Sequence, residues 1–198
     1  MKPGSTRTRA GPPAAWRSFL GLWMTWVVAG LAWTGFGDIR AQTPVALGAD
    51  EFRAAFLSKI PGFVTWPESA LGPSDESLTV VLLGDVSFGP LLEGLLKGVR
   101  VEDRPVKVVS VESIETLDDL PKCQILFVSE SRTSDLPRIL DARRSGLLTI
   151  GEEGGFTRKG GVMNLSATER KLTVNVRNAR AAGLGIQSRL LRIAEVER

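Results

Sequence analysis

The chain has 198 residues, 43% hydrophobic and 24% charged, the proportions of a folded globular domain and not of a disordered, collagenous or disulfide-stapled chain. It contains no histidine, no tyrosine and a single cysteine, Cys123. These absences exclude Ser-His-Asp and Cys-His relays, histidine-ligated zinc or haem, thiolate metal cages and any intramolecular disulfide. No metal or other cofactor is expected.

At the amino end, Lys2, Arg7, Arg9 and Arg17 precede the uncharged run from Ser18 to Gly37, and a small residue, Ala41, follows shortly after. A basic segment, an apolar segment and a small residue in that order predict a signal peptide over residues 1–41. The alternative is an uncleaved anchor, because the uncharged run is long enough to span a bilayer at ~1.5 Å per residue. Either way residues 42–198 are exported. Five basic residues against one acidic give residues 1–41 a net charge of +4, which leaves −1 of the whole-chain +3 on residues 42–198. A nearly neutral body has no general attraction for phosphate backbones, so nucleic acid is not an expected partner.

After a linker containing Pro44, Phe52, Phe56 and Ile60 recur at helical spacing and predict a helix over 49–60, with Asp50 as its N-cap and Pro61–Gly62 as its stop. Leu78–Leu83 (LTVVLL) is a continuous apolar run that suits a strand buried on both faces. A short helix opened by Pro90 carries Leu91, Leu92, Leu95 and Leu96, and Val99–Val101 forms a brief strand. Val106–Val111, Gln124–Ser129 and Leu147–Ile150 are the next strands, with a short helical or turn segment at Ile114–Leu120 and a helix from Ser134 or Asp135 to about Arg144 between them. Strands alternating with helices at this spacing predict a parallel sheet with right-handed crossovers. Val162–Ser166 and Leu172–Val176 then read as an antiparallel hairpin, and a helical stretch over 178–182 leads to a tail holding Leu190, Leu191 and Ile193. The expected fold is a single α/β domain: a mostly parallel central sheet, flanking helices and a C-terminal antiparallel hairpin.

Catalytic motifs are not evident. Gly89 and Gly94 have P-loop spacing, but Leu95 and Leu96 stand where Lys and Ser/Thr are required. There is no G-x-S-x-G elbow and no S-x-x-K. The loops Gly84–Gly89 (GDVSFG) and Gly151–Gly161 (GEEGGFTRKGG) follow predicted parallel strands, at the edge where α/β sheets place ligands. Either their glycines serve tight turns, or Gly84, Asp85, Phe88, Gly89, Gly151, Phe156, Arg158 and Lys159, with Asn164 in the following strand, face a ligand or partner. Arg158 and Lys159 would draw an anion. Trp66, the sole indole outside the leader region, is either a core or rim residue or an interface anchor. Cys123 either opens a buried strand as a small hydrophobe or serves in an intermolecular disulfide or as a reactive thiol.

Five fragments in order, EFRAAFLSKIPGFVTWP at 51–67, LTVVLLGDVSFG at 78–89, CQILFVSES at 123–131, LLTIGEEGGFTRKGGVMNL at 147–165 and the ending AAGLGIQSRLLRIAEV, together resemble the YfiR family. The resemblance covers about residues 50–197. It implies a non-catalytic periplasmic protein that represses an inner-membrane diguanylate cyclase through the cyclase's periplasmic region, lowering cyclic-di-GMP signalling and biofilm formation. It also implies an outer-membrane lipoprotein that sequesters the repressor, and a homodimer. The family's namesake has internal disulfides, which a chain with Cys123 alone cannot form. Family members also stand beside other signalling proteins such as sensor kinases, so a small-molecule-binding sensor acting on such a partner is the alternative.

Overall fold

The computed structural model describes residues 48–73, 75–116, 119–141 and 145–198. The leader over residues 1–41 and the linker at Pro44 lie outside the described residues. Among the described residues no helix is long and apolar enough to cross a membrane. From the amino end the elements are α1 (Ala49–Lys59), β1 (Val64–Thr65), α2 (Glu68–Leu71), β2 (Leu78–Leu83), α3 (Gly89–Leu96), β3 (Arg100–Val101), β4 (Arg104–Val111) and β5 (Ile125–Val128). They continue with α4 (Leu136–Asp141), β6 (Leu148–Gly151), β7 (Met163–Ser166), β8 (Lys171–Asn175), α5 (Val176–Ala181), β9 (Gly185–Ile186), α6 (Ser188–Leu191) and β10 (Glu195–Glu197).

The main sheet has the order β10-β8-β7-β6-β5-β2-β4-β3. Its centre, β4-β2-β5-β6, is parallel throughout, as the alternation of strands with helices predicts. The expected hairpin is β7 with β8, antiparallel, and β7 joins the sheet parallel to β6. Alternation along the central strands supplies both layers of core. Val80, Leu82, Ile125, Phe127, Leu148 and Ile150 face one cluster with Ala54, Leu57, Leu92, Leu96 and Ala179 from the helices. Val81, Leu83, Leu126 and Val128 face the other, closed by Ile114, Leu120, Leu136, Ile139 and Phe156.

Several local expectations need correction. Asp50 lies inside the first turn of α1 and not at its N-cap, which is Gly48 with no side-chain cap bond. The buried positions of α1 are Ala54 and Leu57, followed by Ile60, whereas Phe52 and Phe56 are half-buried and pack on each other with ring centroids 5.5 Å apart. The helix expected from Ser134 or Asp135 is preceded by a 3-10 segment, Glu130–Asp135, and residues 142–144 of its expected span lie outside the described residues. The tail, for which no elements were expected, forms β9, which pairs with β1, then α6, then β10 parallel to β8 at the sheet edge.

Candidate functional site at the carboxyl edge of the sheet

From β2 the chain crosses to β4 on one side and then returns to β5 on the other, so the strand order reverses between β2 and β5. The crevice outside the carboxyl ends of such strands is the usual ligand position in an open α/β sheet. Here that crevice is filled. Gly84, the first residue after β2, has φ +99°, and a Cβ on it would strike the hydroxyl of Ser129 and crowd Arg132. Only glycine combines that left-handed conformation with so close an approach of the two loops.

The next loop along the edge, residues 151–161, is organised by one aromatic ring. Phe156 is fully buried in the cluster beneath α4. A Cβ on Gly151 or on Gly161 would penetrate its ring, and one on Gly161 would also lie 3.0 Å from the Phe156 carbonyl oxygen. These two glycines therefore make room for the ring, and the loop is a plug folded on Phe156. Asn178 of α5 fixes its far side, its Nδ2 donating to the carbonyls of Thr157 at 2.8 Å and Gly161 at 2.7 Å.

A charged chain crosses the edge from α1. Asp50 accepts from Ser87 Oγ at 2.7 Å and from Arg53 Nη1 at 2.9 Å. Arg53 Nε lies 2.9 Å from Glu152 Oε2, an ionic contact whose N–H is not aimed along a hydrogen bond. Glu152 Oε1 in turn accepts from the backbone N–H of Glu130 at 3.1 Å. Arg53 and Glu152 thus tie α1, the loop after β6 and the loop after β5 together, and their side chains are mostly covered, at 23% and 17% exposure. Asp50, Ser87 and Arg53 carry no sign of this role in the sequence, because the two contacts that link α1 to the edge, Asp50 with Ser87 and Arg53 with Glu152, join residues 37 and 99 positions apart.

Between the loops after β5 and β6 lies an open depression of about 580 Å³, lined by Glu130, Ser131, Thr133, Ser134, Pro137, Glu153 and Lys159. Lys159 Nζ donates to Glu153 Oε1 at 2.7 Å. The Lys159 bond first, and a bond from the Thr133 side chain second, hold the Glu153 carboxyl below its ordinary value of 4.5. A carbon-detected NMR titration should give Glu153 a midpoint below 4.5 that rises toward that value in Lys159→Gln. The folded pKa is lowered, so the bond is intact above 4.5 and is lost as pH falls through the lowered midpoint.

The parallel topology brings Gly84, Asp85, Phe88 and Gly89 to the same edge as Gly151, Phe156, Arg158 and Lys159. Of these, Lys159 lines the depression; Arg158 is exposed and folds back beside Gly155, and Asp85 is exposed. Phe88 is buried edge-on against Phe127, with centroids 5.2 Å apart, and Gly89 and Gly151 are buried as well. Asn164 sits beside Gly151 in the sheet, half-buried, with its Oδ1 unpartnered. Trp66 is 4% exposed in the larger core cluster, and the adjacent Pro67 packs near Gly146 and Gly183 at the amino-terminal end of β6, opposite the edge just described. Its environment is that of a core residue. Cys123 is half-buried against the second cluster, just before β5.

A family model described as YfiR/HmsC-like matches residues 50–195. The chain belongs to the YfiR/HmsC-like family. The match begins in α1 and ends in β10, so it takes in the whole carboxyl edge of this YfiR/HmsC-like domain, the Arg53–Glu152 contact included. No curated protein gives a significant match.

Proposed function

We propose that the chain is an exported, non-catalytic regulator that represses an inner-membrane diguanylate cyclase by contacting the cyclase's periplasmic region, lowering cyclic-di-GMP output. The observation that carries this reading is the YfiR/HmsC-like match across 146 residues of one α/β domain, from 50 to 195. A chain without histidine and with one cysteine supports action by contact over action by catalysis. Such a regulator holds its target by binding the inactive state better than the active one, since equal affinity for both shifts nothing. A homodimer and an outer-membrane lipoprotein that competes for the repressor complete the proposal.

The test is binding of the purified protein to the exported region of a cyclase from the same genome, immobilised for interferometry. Saturable binding that an outer-membrane lipoprotein competes away is the expected result, and no binding to any exported cyclase region contradicts it. The depression between the loops after β5 and β6 favours a second reading, a periplasmic small-molecule sensor acting on another signalling partner such as a sensor kinase. On that reading a ligand raises the melting temperature by mass action, and Lys159→Ala removes the effect.

A further inference from the structure

Far from the carboxyl-edge depression in sequence, the tail builds a second concavity. β8 runs into α5, whose N-cap Asn175 accepts from the Asn178 N–H at 3.0 Å, and Asn178 anchors the helix to the glycine-rich loop. With Ala179 turned into the core, Arg177 and Arg180, three positions apart, share the outer face of α5. β10 then adds to β8 in register Val196↔Val174, and strand alternation sends Val196 to the helix side and Glu195 and Glu197 to the other. The result is an open trough of about 630 Å³ lined by Val176, Arg177, Arg180, Leu191, Val196 and Arg198.

Three features of this trough go together. Its charge is of one sign, with three arginines and no acidic side chain in the lining. None of those arginines has an ion pair or side-chain hydrogen bond among the described residues, whereas Lys171, close by in β8, is engaged by Glu195. Its remaining walls, Val176, Leu191 and Val196, are aliphatic, and Val196 is 37% exposed. Guanidinium groups stay charged at any physiological pH and grip carboxylate or phosphate oxygens in pairs, while an apolar wall takes up hydrocarbon.

We propose that this trough binds an amphiphilic organic anion, with a phosphate or carboxylate head on Arg177, Arg180 and Arg198 and an aliphatic or aromatic body on Val176, Leu191 and Val196. The proposal does not rest on the cyclase reading, and two of the lining residues, Val196 and Arg198, lie beyond the span matched to the family. Its volume is within the range of pockets that hold small organic ligands, roughly 300–1,000 Å³.

Isothermal titration of the purified full-length chain with n-octyl phosphate below its micelle concentration tests it, with inorganic phosphate, n-octanol and anionic phospholipid vesicles as parallel arms. One saturable site for octyl phosphate is expected, with inorganic phosphate and octanol each at least ~10-fold weaker, because each supplies half of the recognition. Arg177→Gln and Arg180→Gln, both at exposed positions, should each weaken octyl phosphate ~10-fold without lowering the melting temperature. Absence of a saturable site, equal binding of inorganic phosphate, variants that bind like the parent, or binding to vesicles with none to octyl phosphate would each overturn the proposal.

Discussion

Phe156→Ala is expected to cost ~3–5 kcal/mol of stability, lowering the melting temperature by roughly 10 °C. The ring is fully buried, fills the cluster under α4 and is the object around which residues 151–161 fold. Against a typical domain stability of ~5–15 kcal/mol, that loss leaves a marginal fold. Gly161→Ala attacks the same contact from the other side: the added methyl enters the ring's place, an overpacking cost of ~1–3 kcal/mol. The two substitutions should not be additive. With the ring gone, a methyl at position 161 meets chiefly the carbonyl oxygen at 3.0 Å, so Gly161→Ala should cost much less in the Phe156→Ala background. A four-member cycle of urea melts measures this, and simple additivity would show that the glycine is needed for something other than the ring.

Trp66→Ala carries the second large effect, ~3–5 kcal/mol, for a side chain 4% exposed among Ile60, Val64 and Leu71 of the same cluster. The indole Nε1 is buried without a partner, so Trp66→Phe gives up volume but also removes an unsatisfied donor, and it should cost clearly less than the alanine. Partner binding separates a core role from a contact role. A core Trp66 predicts that Trp66→Phe keeps the parent's affinity for the cyclase region and that Trp66→Ala loses binding only in proportion to the folded fraction. A Trp66→Phe protein that melts like the parent yet binds weakly would place the indole in the interface instead.

Three strands of the central sheet are readable in the sequence because they are buried on both faces and so carry few polar residues: β2 has the predicted bounds, Leu78–Leu83, and β5 and β6 fall within a residue of theirs. The hairpin of β7 and β8 is readable for a related reason, since alternating burial in both strands survives as alternating hydrophobicity. What is not readable depends on partners remote in the chain. β9 and β10 are two and three residues long and exist only because β1 and β8 offer them a free edge. Arg104 illustrates the same limit. A buried charged residue at the start of β4, it donates to the carbonyls of Leu71, Gly72 and Pro73, a clamp that no pattern near position 104 announces. At the carboxyl edge, the two glycine-rich loops are visible as turns after strands, but their meaning comes from Ser129 and Phe156 packing against glycines, which requires the fold. The Arg53–Glu152 contact joins residues 99 positions apart and leaves no local trace.

The proposed function is repression of a cyclase from outside the inner membrane. Its most direct test is cellular cyclic-di-GMP after deletion of the gene, with complementation by the full-length chain and by a form lacking residues 1–41. Deletion should raise the level, the full-length chain should reverse the rise, and the leaderless form should not. An unchanged level on deletion, or full restoration by the leaderless form, would contradict it.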